Sequence, residues 1–115
     1  MMTVTFAIAS GGTVSNTPSI PAGYRLIGLE IPAVDSATLT ISLSSDNSTF
    51  RATAGSDGTA NGAIGGAANT GDKFVALPEA LSLMTEGHHV KITMGAAQNG
   101  GARTITGLCA RTRNE

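Results

Sequence analysis

A chain of 115 residues, 41% of them hydrophobic, has enough material for one core and little more, so residues 1–115 read as a single domain. Seven basic residues stand against eight acidic ones, a net charge of −1, and Arg25, Arg51, Lys73, Lys91 and Arg103 are scattered, which excludes the basic stripe of a nucleic-acid interface. Charged residues make up only 13%, against roughly 25% in ordinary soluble domains, so weak charge repulsion favours a packed homo-oligomer.

Met2 to Ser10 alternates Val4, Phe6 and Ile8 with threonines and lacks the basic start of a secretory signal, so it is expected to form a first strand. Placed at a sheet edge, its free backbone groups would pair with a neighbouring molecule and Val4, Phe6 and Ile8 would anchor the contact. An ordinary internal strand is the plainer alternative. Asn16 to Gly23, with Pro18 and Pro21, is a connector. Tyr24 to Ile31 reads as an interior strand with a bulge at Gly28, and Pro32 to Ser36 is expected to break it. In Ala37 to Ser44, Leu39, Ile41 and Leu43 point one way and Thr38, Thr40, Ser42 and Ser44 the other, the period of a half-buried strand. Ser45 to Ser48 then turns the chain into Thr49–Thr53 as a hairpin.

Residues 54–71 hold six glycines and five alanines, with Ile64 the one large apolar side chain. Ordering this stretch costs on the order of 20–35 kcal/mol at 1–2 per residue, far beyond the roughly 1.5–3 kcal/mol that one buried isoleucine returns. A long loop is therefore expected, either a tolerated insertion or an arm that contacts a partner through Ile64. Asp72 to Leu77 is a short strand, Pro78 to Met84 a helical turn plugging one end, and His88–Gly95 and Arg103–Arg111 are the last strands. The spacing predicts an all-β fold: a single antiparallel β-sandwich, jelly-roll-like, with seven or eight strands.

Catalytic patterns are missing. His88 and His89 are neighbours on a strand and face opposite ways, with no ligand cluster at metal spacing around them. Gly-x-Ser-x-Gly does not occur, no carboxylate pair is marked, and Gly11-Gly12 and Gly65-Gly66 lack the phosphate-loop pattern. Cys109 has no intrachain partner and sits in a strand-like segment, so it reads as a small buried residue of a protein made in a reducing cytosol. Arg111 and Arg113 read as a solvated tail, and no apolar run approaches the length of a membrane span. The expectation is no enzyme, with no catalytic residues, no cofactor, no metal, no nucleic-acid partner and no membrane partner.

Five blocks carry a resemblance: 20–32 (IPAGYRLIGLEIP), 39–50 (LTISLSSDNSTF), 75–81 (VALPEAL), 90–93 (VKIT) and 103–106 (RTIT). In this order they resemble the capsid decoration or cement proteins, and related head-fibre pieces, encoded among the head genes of tailed bacteriophages. The segment 54–71 lies outside the resemblance. What it implies is a β-sandwich subunit, often a homotrimer, made in the host cytoplasm and seated on the virion. There it would bind the outer surface of a major-capsid-protein lattice and tie neighbours together. The alternative it leaves is a receptor-binding or fibre module of the virion that recognises a cell-surface glycan.

Overall fold

Tyr24–Ile31 and Ala37–Ser44 belong to one strand. The structure, a computed structural model, describes residues 2–112, with only the backbone described at 67 and 68; Arg113, expected in a solvated tail, lies outside them. The elements are β1 (Met2–Ile8), β2 (Tyr24–Ser44), β3 (Arg51–Ala52), β4 (Ala63–Ala76), α1 (Glu79–Met84), β5 (His89–Met94) and β6 (Arg103–Arg111). The fold is all-β and every strand pairing is antiparallel, as expected. Among the described residues six strands are named; the expected break at Pro32 does not occur, and residues 63–71 join Asp72–Ala76 in one strand.

Pro32 interrupts nothing because of where it stands in the ladder. Pairing of β2 with β6 ends at Glu30, opposite Thr106. The backbone of Ile31 faces β4, so the missing N–H of Pro32 falls on the side where pairing with β6 has already ended, and no ladder bond is lost.

The first half of β2 pairs with β6 on one side and with the end of β4 on the other. Its second half pairs with β5, with β3 and with the start of β4. Both halves have fully buried apolar faces, Leu26, Leu29 and Ile31 in one and Leu39 and Ile41 in the other, and these belong to a single core cluster. The sheet therefore folds over on itself and the two halves face each other as layers, with β2 and β4 running through both. Phe6, Ile8, Ile105 and Cys109 fill one side of the core, and Val90, Ile92 and Met94 the other. Leu81 of α1 is buried at one end of it.

Bulges set the alternation. Leu26 lies opposite Cys109 and Gly28 opposite Leu108, so Ile27 is one extra residue on β2, the bulge expected beside Gly28. It shifts the inward phase from Leu26 to Leu29 and Ile31. At the corner between layers the β2–β4 register shifts twice, between Ala33 and Ala37 and between Ala37 and Leu39.

The expectation of a long loop over 54–71 is corrected. Residues 54–60 form a compact turn: Ala54 bridges Ala60, Gly55 N–H donates to the Thr59 carbonyl (2.9 Å), and Asp57 Oδ1 accepts from Thr59 N–H (2.9 Å). From there the backbone enters the sheet, with Ile41 N–H donating to the Gly62 carbonyl (2.9 Å) and Ile64 opposite Leu39. Strand pairing supplies the backbone bonds that a count of side-chain burial leaves out. The small residues permit the approach: a Cβ on Gly62 would lie 2.6 Å from the Ile41 carbonyl oxygen.

Two polar clamps fix β2, one just past its C-terminal end and one at its mid-strand corner. Asp46 Oδ1 accepts from Ser48 N–H (2.9 Å), Thr49 N–H (3.0 Å) and Ser44 Oγ (2.8 Å), and these bonds, led by Thr49 and Ser48, lower its carboxyl to about 2. At the corner, Asp35 Oδ2 accepts from Asn99 N–H (2.7 Å) and Gly100 N–H (3.2 Å) while Oδ1 meets Arg103 Nη2 at 2.9 Å. The Asn99 N–H leads in holding this carboxyl below its usual range. Buried Gln98 completes the clamp, its Oε1 accepting from Asp35 N–H (2.9 Å) and its Nε2 donating to the Ala96 (3.1 Å) and Asp35 (3.3 Å) carbonyls.

Candidate functional site

Ile64 is 3% exposed and belongs to the core, so it cannot serve as the tip of a contact arm. Phe6 and Ile8 are also fully buried, and Val4 is part-buried against the same cluster. The proposed anchors fail for one geometric reason. Strand alternation that makes a residue apolar also turns it inward, and on β1 the exposed face belongs to Thr3, Thr5 and Ala7.

β1 does stand at an edge, outside β6 in the order β1-β6-β2-β3. Its free side is largely occupied, however. Asn16 Oδ1 accepts from Ala7 N–H (2.7 Å), Asn16 Nδ2 donates to the Thr5 carbonyl (3.2 Å), and Asn16 N–H donates to the Ala7 carbonyl (3.3 Å). A side-chain amide here takes the place of a neighbouring peptide group. Asn16→Ala is expected to lower stability by about 1–2 kcal/mol through the two side-chain bonds lost, and to increase self-association as the edge opens. Urea denaturation read beside light scattering checks both.

The opposite edge of this layer is different. β4 pairs only with β2, and beyond residues 72–76 no described strand follows. Phe74 is 70% exposed there, the most exposed large hydrophobic side chain among the described residues. It ends a cross-strand row in which Thr5 stands opposite Thr106, Thr106 opposite Glu30, and Glu30 opposite Phe74. Beside this row is a shallow depression of about 420 Å³ lined by Glu30, Pro32, Lys73, Phe74 and Thr104.

A second surface lies where α1 meets the β2–β3 hairpin. Leu81 turns into the core, which leaves Leu83 (55% exposed) and Met84 (40%) on the outside of a helix of six residues. They line a groove of about 650 Å³ with Leu43, Arg51, Glu86 and His88.

Among the described residues neither histidine meets a carboxylate side chain or the cysteine. His88 Nδ1 lies 3.0 Å from the Glu86 carbonyl oxygen, and His89 Nδ1 is buried without a hydrogen-bond partner among the described residues. Cys109 is buried as expected, and burial pushes its thiol up, away from the reactive thiolate. Among the described residues no group of three His, Cys, Asp or Glu side chains is placed to hold a metal ion, and no helix is long and apolar enough to cross a membrane.

Sequence reasoning missed Asn16, Phe74, Leu83 and Met84. For two of them a signal existed. Phe74 and Val75 are consecutive in a strand and cannot both face one core, and Leu83 stands two residues from Leu81, which puts them on different sides of a helix. No family model, curated protein or solved structure matches this chain.

Proposed function

We propose that the chain is a structural virion protein of a tailed bacteriophage, a decoration or cement subunit that binds the outer surface of a major-capsid lattice and stabilises it by many weak contacts. The order of sequence blocks described above supports the reading, as do a low charge content and an all-β body. The observation that carries it is the groove at α1. Leu83 and Met84 lie exposed beside it, an apolar surface that no described residue covers, in a groove whose polar rim includes Arg51, Glu86 and His88. Repetition over a shell makes small contacts sufficient, because each copy added beside its neighbours gains by effective concentration. The protein acts as a non-enzymatic homo-oligomer in this role.

The test is to mix purified protein with assembled heads of candidate tailed phages and sediment the heads. Saturable co-sedimentation is expected, at a fixed number of copies per capsid protein, and it should be lost in a folded Leu83→Asp/Met84→Asp variant. Absence of binding to every head tested overturns the reading. Binding of the isolated protein to glycans, with none to heads, replaces it with the receptor-binding alternative.

A further inference from the structure

We propose that the open edge of β4 joins two copies of this chain into a two-fold dimer by antiparallel strand pairing across Phe74–Ala76. The proposal rests on the direction of the backbone groups. Leu77 N–H donates to the Ile27 carbonyl (2.9 Å), Val75 lies opposite Leu29, and Lys73 opposite Ile31. In an antiparallel ladder this sends the N–H and C=O of Lys73 and Val75 toward β2 and those of Phe74 and Ala76 away from it. No described strand or side chain meets those outward groups. Asp72 has φ 59°, outside the extended region, so the usable edge begins at Lys73, and Pro78 closes it.

A second copy fits this edge in three respects. With Phe74 opposite the partner subunit's Ala76, and the reverse, both pairs are of the narrow kind that exchange both hydrogen bonds. The two Phe74 rings then lie diagonally across the same face, within aromatic reach, and each loses its exposure. One opposite-charge contact also fits: the edge begins at exposed Lys73, beside exposed Asp72, and is followed by exposed Glu79, so antiparallel pairing brings Lys73 of each copy toward the partner subunit's Glu79. The far edge of the same layer cannot serve equally. Asn16 already holds Thr5 and Ala7 of β1, which works against a head-to-tail chain of copies and leaves the closed, isologous pair. The guards of this edge, Lys73 and Pro78, stand at its two ends, and the residues between them that would pair, Phe74, Val75 and Ala76, carry no charge or proline.

Sedimentation velocity over a concentration series, paired with amide hydrogen exchange, tests this. The expected result is a species of twice the 11.5 kDa chain mass, with the Phe74 and Ala76 amides slowed as concentration rises. Phe74→Lys, at an exposed site, and Ala76→Pro, which deletes only an outward N–H, should each weaken the dimer by about tenfold or more while leaving the circular dichroism spectrum unchanged. A monomer at every concentration overturns the proposal. So does a trimer, a dimer that survives both substitutions, or protection of these amides that appears only on phage heads. The capsid reading fails separately: a chain that dimerises in this way but never sediments with heads removes that reading alone.

Discussion

Replacing Gly71 with alanine is expected to cost about 3 kcal/mol or more, the sum of a left-handed backbone penalty near 1–2 and an overpacking cost of 1–3. Two independent constraints meet at this residue. Its φ is +76°, and a Cβ built there would overlap the Pro32 carbonyl oxygen across the corner, with the Ile31 Cγ2 methyl 3.1 Å away. Neither neighbour is free to yield. Pro32 is held in β2 between residues paired to β4, and Gly71 N–H is fixed by the Asn69 Oδ1 acceptor at 2.8 Å. Gly66 provides the control: it has φ +94° and nothing within 4 Å of its missing Cβ, so Gly66→Ala should show the conformational cost alone, about 1–2 kcal/mol. Chemical denaturation of the two variants separates the terms. Equal losses would mean that the approach to Pro32 contributes nothing.

Ile64→Asp is expected to unfold the protein. The side chain is 3% exposed and paired opposite Leu39 in the middle of the core cluster. Substitution removes roughly 1.5–3 kcal/mol of burial and leaves a carboxyl group without partners, at a further cost of several kcal/mol. That total approaches the whole stability of an ordinary domain, about 5–15 kcal/mol. The measurement is a thermal melt with a dye that reports exposed apolar surface. A native-like melt would contradict the placement of β4 in the sheet. Ile64→Val, which keeps the shape, should cost about 1 kcal/mol.

The contrast between Ile64 and Leu39 shows what was legible in the sequence. Leu39, Ile41 and Leu43 announce a strand because polar residues alternate with them, and the same pattern reveals β1, β5 and β6 with nearly their observed ends. Ile64 stands among Gly and Ala, which write no alternation, and what holds it is the backbone of β2, a partner more than twenty residues earlier. Pairing of that kind is a tertiary fact, and burial arithmetic on local side chains underestimates it. The interaction surfaces were hidden for a related reason. Whether an edge is open depends on what lies beside it, and Asn16, an ordinary turn residue by composition, closes one edge while no described residue closes the other.

β2 has a consequence for how this polypeptide reaches its native state. It is the hub to which β3, β4, β5 and β6 attach, and only β3 lies close behind it in the chain; Tyr24, for example, must wait for Arg111. Contacts so distant along the chain slow folding, and during synthesis the apolar residues of β2 leave the ribosome long before most of their partners exist. With one strand shared by both layers, neither layer can assemble and persist without the other, so a nascent chain is committed to an all-or-nothing transition that waits until β6 has been made.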